Sequence, residues 1–165
     1  GQVEITTGGG HYKDLDVIPI VVNEGITHRI TSNNFDLVVD LNIPDDFPNG
    51  LWYENKLIAV NLKDIFICEV RFQASSSVPN GRLSISIDIE GTQNVIIEET
   101  FNLHKTANTV DYFSRTMTYY TGSDFISNGG KVYLKAIDGN ISYTNFQIIP
   151  VRIHKGINNP NNILS

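Results

Sequence analysis

Four histidines are the first residues to test for chemistry, because imidazole acts as a general base or a metal ligand near neutral pH. They are His11, His28, His104 and His154. No two of them stand at the short spacing of zinc-ligand pairs, which favours histidines on the surface or at strand ends. We therefore predict no metal centre, while histidines that converge in the fold stay an open alternative.

Acidic residues form two short groups whose carboxylates are of the type that calcium prefers. Asp45 and Asp46 precede Asn49, and Asp14 stands close to Asp16. Neither group matches the ligand pattern of a helical calcium loop. Because Asp and Asn commonly bond their own backbone in turns, we interpret both groups as turn residues. The sequence leaves open whether a loop binds calcium.

No nucleophile occupies a recognisable catalytic setting. Cys68, the only cysteine, lies in an alternating apolar run and is predicted to be a small core residue. Glu98 and Glu99 are adjacent on a predicted strand, so they point to opposite faces and do not share a substrate. The sequence has neither a Gly-x-Ser-x-Gly elbow nor a phosphate loop between strand and helix. We therefore predict a domain that is not an enzyme and has no cofactor.

Aromatic side chains are the other residue type that offers binding chemistry, because each presents a rigid ring, often with a polar edge. Trp52 and Tyr53 follow a loop rich in Pro, Asn and Gly, and they form a candidate ligand platform. Tyr119, Tyr133 and Tyr143 lie in the C-terminal part of the chain. These three tyrosines suit a partly polar subunit interface.

The formal net charge of −6 belongs to a chain whose Lys and Arg residues stand singly rather than in clusters. Nucleic-acid binding needs a basic face that neutralises phosphates, and anionic membrane surfaces attract basic segments. No apolar run approaches the roughly 18 residues of a membrane span. The composition therefore predicts neither a nucleic-acid partner nor membrane insertion.

The elements that must position these side chains are strands, since the dominant hydrophobic period is two. Apolar and polar residues alternate along 83–89, and a second alternating set spans 66–74. Further strands are predicted at 17–22, 27–32, 35–41, 57–61, 95–103, 110–120 and 131–137. Asn-Gly and Asp-Gly pairs supply the tight turns. About eight to ten such strands predict an all-β jelly-roll sandwich of two antiparallel sheets.

The closing strand is unusual because both of its faces are apolar. Ile149, Val151 and Ile153 alternate with a second apolar set that includes Phe146 and Ile148. A strand with two apolar faces lies in the middle of a covered sheet or against another subunit. We therefore assign Ile149, Val151 and Ile153, together with the three tyrosines, to a candidate subunit interface.

Glycine, asparagine and proline predict one domain with short flexible ends. Three glycines at 8–10 predict a flexible lead-in over residues 1–10. The Asn- and Pro-rich segment near the end predicts a flexible tail over residues 156–165. Residues 11–155 then form the jelly-roll domain.

Several short motifs follow one another in an order that resembles a known group of proteins. They lie at 11–14, 72–77, 102–105, 113–115, 120–125, 128–135 and 146–148. The most telling is the Gly-x-Val-Tyr-Leu pattern that begins at Gly130, which is similar to the penultimate strand of that fold. The whole resembles the trimeric jelly-roll heads of bacteriophage structural proteins, which are similar to the complement and tumour-necrosis-factor (TNF) fold.

This resemblance spans residues 11–155 and implies a homotrimer with one sheet of each subunit facing the threefold axis. It also implies a non-enzymatic domain on the virion surface, in a tail or capsid fibre head, that displays loops to a host-surface glycan or protein. Two alternatives stay open. One is a monomeric carbohydrate-binding module or adhesin domain of a bacterial protein, with Trp52 and Tyr53 as its platform. The other is a hydrolase with a cryptic site.

Overall fold

The computed structural model describes residues 3–89 and 94–157, and these form twelve strands and one short helix. The strands are β1 (Gly8–Asp14), β2 (Ile20–Val22), β3 (Thr27–Arg29), β4 (Phe35–Leu41), β5 (Trp52–Tyr53), β6 (Lys56–Leu57), β7 (Ile65–Ser76), β8 (Arg82–Asp88), β9 (Val95–Asn102), β10 (Asp111–Tyr120), β11 (Lys131–Asp138) and β12 (Ile141–His154), and the helix is α1 (Ser123–Asn128). The all-β prediction is confirmed, although the strand predicted at 57–61 ends at Leu57. Within the described residues, no helix is long and apolar enough to span a membrane.

Two antiparallel sheets pack face to face. The larger sheet has the order β10-β7-β12-β1-β4, with β2 also paired to the first residues of β12, and the smaller has the order β3-β11-β8-β9. A separate hairpin joins β5 and β6. Buried side chains from both sheets form one core cluster, as two packed layers require. The predicted jelly-roll sandwich is thus confirmed.

The middle of the core is a stack of aromatic rings on the central strands of the larger sheet. Phe72 of β7 stacks on Phe146 of β12 with 5.6 Å between ring centroids, and it meets Phe101 of β9 edge-on at 5.1 Å. Such pairs add stability beyond the area they bury. They fix which residues of β7 and β12 point inward, and the alternate residues therefore point outward.

Strand β8 is buried on both faces, although alternating apolar and polar residues, as at 83–89, predict a strand with one exposed face. Ser84, Ser86 and Asp88 are buried along with the apolar residues between them. The reason is its position between β11 and β9 in the smaller sheet. Side chains from those two neighbours, including Tyr133 and Glu98, crowd around its outward residues.

The sandwich has two ends, which we call upper and lower. Residues 3–7 and 155–157 lie at the upper end, where the Lys155 amine is 2.7 Å from the Glu4 carboxylate. Gly8 at the start of β1 pairs with Arg152 near the end of β12. The lower end holds the loops at 15–19, 23–26, 77–81, 103–110 and 139–140.

The three glycines at 8–10 belong to β1, so the prediction of a flexible lead-in is wrong for them. β1 pairs with β12 on one side and with β4 on the other. A Cβ at Gly9 would lie 1.9 Å from the carbonyl oxygen of Pro150, so this glycine permits a close approach of two backbones. Residues 1–2 lie outside the described part of the chain.

The first two residues of the predicted flexible tail are hydrogen-bonded at the upper end. The Gly156 amide donates to Asp64 Oδ1 at 2.7 Å, and the Ile157 amide donates to the Leu62 carbonyl at 3.0 Å. Residues 158–165 lie outside the described residues, so flexibility there stays a prediction.

A fully buried arginine near the end of β12, Arg152, makes the most extensive polar contacts of the described residues. Its Nη1 and Nη2 donate to the two carboxylate oxygens of Asp46 at 2.9 and 2.7 Å, and Nη1 also donates to Asp64 at 2.9 Å. Its Nε donates to the Thr6 carbonyl at 2.8 Å. The Phe47 ring centroid lies 5.0 Å from the guanidinium carbon. One side chain therefore ties three separate segments to β12.

The carboxylate of Asp46 keeps its charge in this network. Burial by itself would raise the pKa of Asp46, but hydrogen bonds from Arg152 and from Asn61, at 2.8 Å, outweigh burial and lower it. Asp46 is thus ionised near neutral pH and offsets the buried guanidinium. A buried charge without such a partner carries a desolvation cost of several kcal/mol.

We expect Arg152→Met to lower the free energy of unfolding by about 3–5 kcal/mol, because the buried Asp64 carboxylate loses its cation. The matched control is Arg71→Met, which breaks an exposed ion pair with Glu69 and should cost about 1 kcal/mol or less. Urea denaturation followed by circular dichroism measures both. Equal losses would contradict the role of Arg152. If Arg152→Met does not fold, Arg152→Lys keeps the charge without the paired hydrogen bonds and replaces it.

Candidate functional site

The outward side of the larger sheet, which we call the outer face, is formed by the residues that alternate with the core. On β7 every second residue belongs to the core, which leaves Ile67 and Glu69 on the outer face. In the second half of β12, the residues paired with these two also point to the outer face: Ile149 lies opposite Glu69, and Val151 lies opposite Ile67. The pleat of two central strands therefore generates this surface.

The upper half of the outer face is an apolar patch, which we call the apolar band. Its side chains come from four strands of the larger sheet. The exposed fraction is 71% for Tyr120 and 46% for Ile153, whereas Ile149 is nearly covered by its neighbours. The apolar band consists of Val39, Leu41, Ile65, Ile67, Tyr120, Ile149, Val151 and Ile153.

Polar side chains, which we call the polar row, lie beside and below the lower members of the apolar band: Glu69 stands opposite Ile149, and His11 stands opposite Val39. The Glu69 carboxylate accepts hydrogen bonds from Arg71 at 2.7 Å and from Ser114 at 2.9 Å. The hydrogen bond from Arg71 is the main reason that the pKa of Glu69 lies below its usual value. His11 Nε2 lies 2.8 Å from Gln147 Oε1. Because these groups are partnered within the chain, a second protein surface can cover them without leaving a charge unpaired.

An apolar patch with a polar border is typical of a surface that contacts another protein. The side chains of the apolar band are aliphatic apart from the Tyr120 phenol. The arrangement can bind an apolar partner surface.

The structure brings together three of the side chains assigned to an interface from sequence. Ile149, Val151 and Ile153 follow one another on β12, and all three contribute to the apolar band. Tyr133, by contrast, lies on β11 in the smaller sheet and alternates with its core residues. Its assignment to the same interface is therefore corrected, because the outward side of the smaller sheet points away from the outer face of the larger sheet.

Two further tyrosines assigned to the interface lie in the core. Tyr119 stacks on Phe66 and Phe125 with centroids 5.5 and 5.4 Å apart, and Tyr143 meets Phe146 at 6.1 Å. Burial raises the pKa of both tyrosine hydroxyls. Their assignment is corrected because the alternation of β10 and β12 turns these side chains inward.

The ligand platform proposed from sequence is not formed. Trp52 is buried and packs on Phe35 with 5.2 Å between ring centroids. Its neighbour Tyr53 points the other way and is exposed. Adjacent residues of a strand face opposite sides, so Trp52 cannot share a platform with Tyr53, which stays a candidate on its own.

The four histidines are separated in space by their elements. His11 lies on the outer face, His28 is on β3, His104 is in a lower-end loop, and His154 ends β12. His28 is half-buried, its ring centroid lies 6.0 Å from that of Tyr143, and its Nε2 has no hydrogen-bond partner. Over residues 3–89 and 94–157, no group of three or more His, Cys, Asp or Glu side chains is placed to hold a metal ion.

The acidic groups considered for calcium have partners within the chain. Asp46 binds Arg152, and Asp45 accepts a hydrogen bond from a backbone amide at 3.0 Å. Asp14 accepts the Asp16 amide at 3.0 Å, which is the local bond expected of an Asx turn. The Asp14 contact supports the interpretation of that group as turn residues. The interpretation is corrected for the side chains of Asp45 and Asp46, because they bind Ile5 and Arg152, which are distant in sequence.

Cys68 is a core residue, as its sequence position predicts, and Glu99 also has a structural contact. Cys68 is fully buried, and burial raises the pKa of its thiol to about 12, so it is not a thiolate near neutral pH. Glu99 of β9 accepts a hydrogen bond from Arg115 of β10 at 2.8 Å, which joins edge strands of the two different sheets.

Sequence reasoning missed several residues of the outer face and of the core. Tyr120 ends a predicted strand, yet nothing in its type tells that it faces the same side as Ile153. Val39 and Leu41 were predicted to lie in a strand, but the prediction did not say which face of the sheet their side chains occupy. Arg152, which interrupts an apolar strand, was the available signal for the buried ion pair.

No protein-family model matches the sequence, and no curated protein sequence matches it. Solved structures match in shape. Eiger TNF from S. frugiperda has a TM-score of 0.56 at 8% identity, over 96% of this chain and 100% of that chain. Murine APRIL has a TM-score of 0.52 at 9% identity, over 90% and 100%. PRD1 vertex protein P5 has a TM-score of 0.51 at 9% identity, over 93% and 100%.

At such low identity the likeness concerns the fold alone. The antiparallel sheets of this chain match those of the TNF-like neighbours in arrangement. None of the three neighbours is named for a catalytic activity. The chain therefore has a TNF-like jelly-roll fold.

The half-buried position of His28 predicts a pH dependence of stability. Burial lowers the pKa of His28 below 6.5 in the folded protein, so the unfolded chain takes up this proton first. Stability should therefore decrease as the pH falls from about 6.5 towards the folded-state pKa. His28→Gln should remove this part of the acid loss in urea denaturation between pH 7 and pH 5 (about the range where histidine titrates).

The exposed His154→Gln is the control for that measurement. Protonation of carboxylates lowers the free energy of unfolding of every variant at acidic pH. The comparison is therefore between the slopes of that free energy against pH. The same slope in wild type and His28→Gln would be evidence against a buried, neutral His28.

Proposed function

We propose that this chain is a non-enzymatic structural domain of a bacteriophage virion, in a tail or capsid fibre head, that assembles as a homotrimer through the apolar band. The carrying observation is the apolar band itself, whose side chains come from four strands on the upper half of one sheet. Burial of apolar surface is worth about 25 cal/mol per Å². A second and third copy of the same face are partners of matching chemistry.

The layout of the outer face supports a particular symmetry. A rotation axis parallel to the strands, in front of the outer face, brings the apolar bands of all copies together at one level. An axis across the strands would set the apolar band of one copy against the polar row or the lower loops of another. The parallel axis also places the upper ends of all copies on one side.

The virion setting is supported by the resemblance of the sequence motifs to phage fibre heads. Among solved structures of the same fold, one is a vertex protein. The TNF-like jelly roll is consistent with a structural role, and the described residues supply packing rather than reactive groups.

The lower end supports display of loops to a host surface, where the ligand is a glycan or a protein. Its loops are held by one another: the Gly139 amide donates to the Glu24 carboxylate at 2.9 Å, and the Ser77 amide donates to the Asn140 carbonyl at 2.9 Å. Loops fixed on a rigid sandwich are suited to recognition. The upper end, with residues 3–7 and 155–157, is then the side for attachment.

We expect the wild-type protein to have about three times the 18.4 kDa chain mass, a homotrimer as the proposal states, in light scattering at micromolar concentration. Ile153→Glu should shift the mass towards 18.4 kDa, because a carboxylate in the apolar band must lose its water on assembly. The matched control is Ile26→Glu, which changes an isoleucine that is 55% exposed at the lower end. It should keep the trimer mass.

A wild-type mass of one chain would overturn the homotrimer and favour the monomeric carbohydrate-binding or adhesin alternative. A trimer that persists in Ile153→Glu would exclude the apolar band as the contact. Circular dichroism of both variants confirms that the fold is retained.

A further inference from the structure

Below the apolar band, the outer face contains a groove whose upper wall includes Arg71, Ser114 and Gln147 of the polar row. It arises because β12 changes its neighbour along its length. Residues 141–143 pair with β2, whereas residues from Gln147 onward pair with β1. The loop at 15–19 bridges β1 and β2, and it leaves a gap beside β12 where neither strand is paired.

Two adjoining depressions make up this groove. One, of about 190 Å³, lies between β7, β10 and β12, and the other, of about 480 Å³, extends under the loop after β1. Gln73 and Asn145 line both depressions. The larger volume falls within the roughly 300–1,000 Å³ of pockets that hold small ligands.

A bulge in β12 places Asn145 at the centre of the groove. Between Thr144 and Gln147 the register with β7 shifts, so two residues of β12 stand opposite one residue of β7. Phe146 turns inward onto Phe72, and Asn145 adopts a positive φ of 56°. A bulge of this kind re-aims a side chain and is frequent beside functional sites.

The groove joins an exposed aromatic ring to polar side chains without partners. The Tyr112 ring is 80% exposed at the wall of the smaller depression. Within the described residues, the side-chain amides of Gln73 and Asn145 and the Tyr112 hydroxyl make no hydrogen bond. Each amide supplies two donors and an acceptor. The chain has therefore left these groups free for a ligand or for water.

Several charged groups near the groove are hydrogen-bonded within the chain. Arg71 donates to Glu69. Asp16 accepts the Ser32 hydroxyl at 3.1 Å and is also bonded to Asn34. A ligand is then recognised mainly by hydroxyl hydrogen bonds and by the flat ring, with the Lys13 amine as an additional donor at the edge.

We propose that this groove binds an oligosaccharide. Sugar rings combine apolar C–H faces, which stack on an aromatic ring, with hydroxyls, which pair with side-chain amides. Tyr112 is the stacking ring, and Gln73 and Asn145 are the hydrogen-bonding groups. This inference rests on the proposed display function, for which it names the ligand class and moves the site from the lower loops to the lower outer face.

The test is a glycan array probed with the intact wild-type chain and three variants. Tyr112→Ala should reduce the binding signal by about tenfold or more, since aromatic anchors commonly dominate a contact. Asn145→Gly removes the amide while glycine accepts the positive φ, and it should also reduce binding. Tyr53→Ala removes the exposed tyrosine that remains a rival candidate platform outside the groove, and it should bind as wild type does when the groove is the site.

Light scattering on the same samples separates this inference from the proposed function. Tyr112→Ala should keep the wild-type mass, because its ring lies outside the apolar band. If the wild type binds no glycan on the array, the proposal that the groove binds an oligosaccharide is overturned, whatever the mass in solution. Binding that survives Tyr112→Ala but is lost in Tyr53→Ala overturns it as well. A monomer whose binding depends on Tyr112 supports the groove while it refutes the homotrimer.

Discussion

The buried charge of Arg152 is the constraint on which the upper half of the molecule depends. A guanidinium without solvent requires oxygens around it, and the chain supplies them from the segment before β1, from the loop that holds Asp46, and from Asp64 just before β7. These segments are far apart in sequence, so each is positioned by one common ion. The backbone after β12 is tied to the same network, since Asp64 also accepts a hydrogen bond from the Gly156 amide.

The position of Arg152 on β12 links this network to the outer face. Strand alternation places Val151 and Ile153 on the opposite side from an inward Arg152. A strand end held by ion pairs gives the outward side chains a fixed position, as a contact surface needs for complementary packing. Further down the same strand, the bulge at Asn145 keeps Phe146 in the core and opens the groove. Core, apolar band and groove are therefore three consequences of one fourteen-residue strand.

Period-two alternation made the strands and the fold class predictable, since it reflects a sheet with a core on one side. It did not give the absolute phase of each strand, and this explains the errors. Tyr119 and Tyr143 looked suitable for an interface by residue type, but the phase of their strands turns them inward. The Asp46–Arg152 pair and the change of neighbour along β12 depend on contacts between distant residues. No local pattern contains that information.

The groove and the apolar band also depend on each other energetically. The groove is open, and three side chains carry most of its recognition, so a single copy can bind only weakly because ordering and desolvation offset much of the contact energy. Linked sites raise the overall affinity by about 10²–10⁴ without any new contact when the geometry allows simultaneous binding. In the proposed homotrimer, with its axis parallel to the strands, equivalent grooves lie at one level. The proposed assembly would therefore strengthen a weak sugar site, and the apolar band and the groove lie on the same sheet.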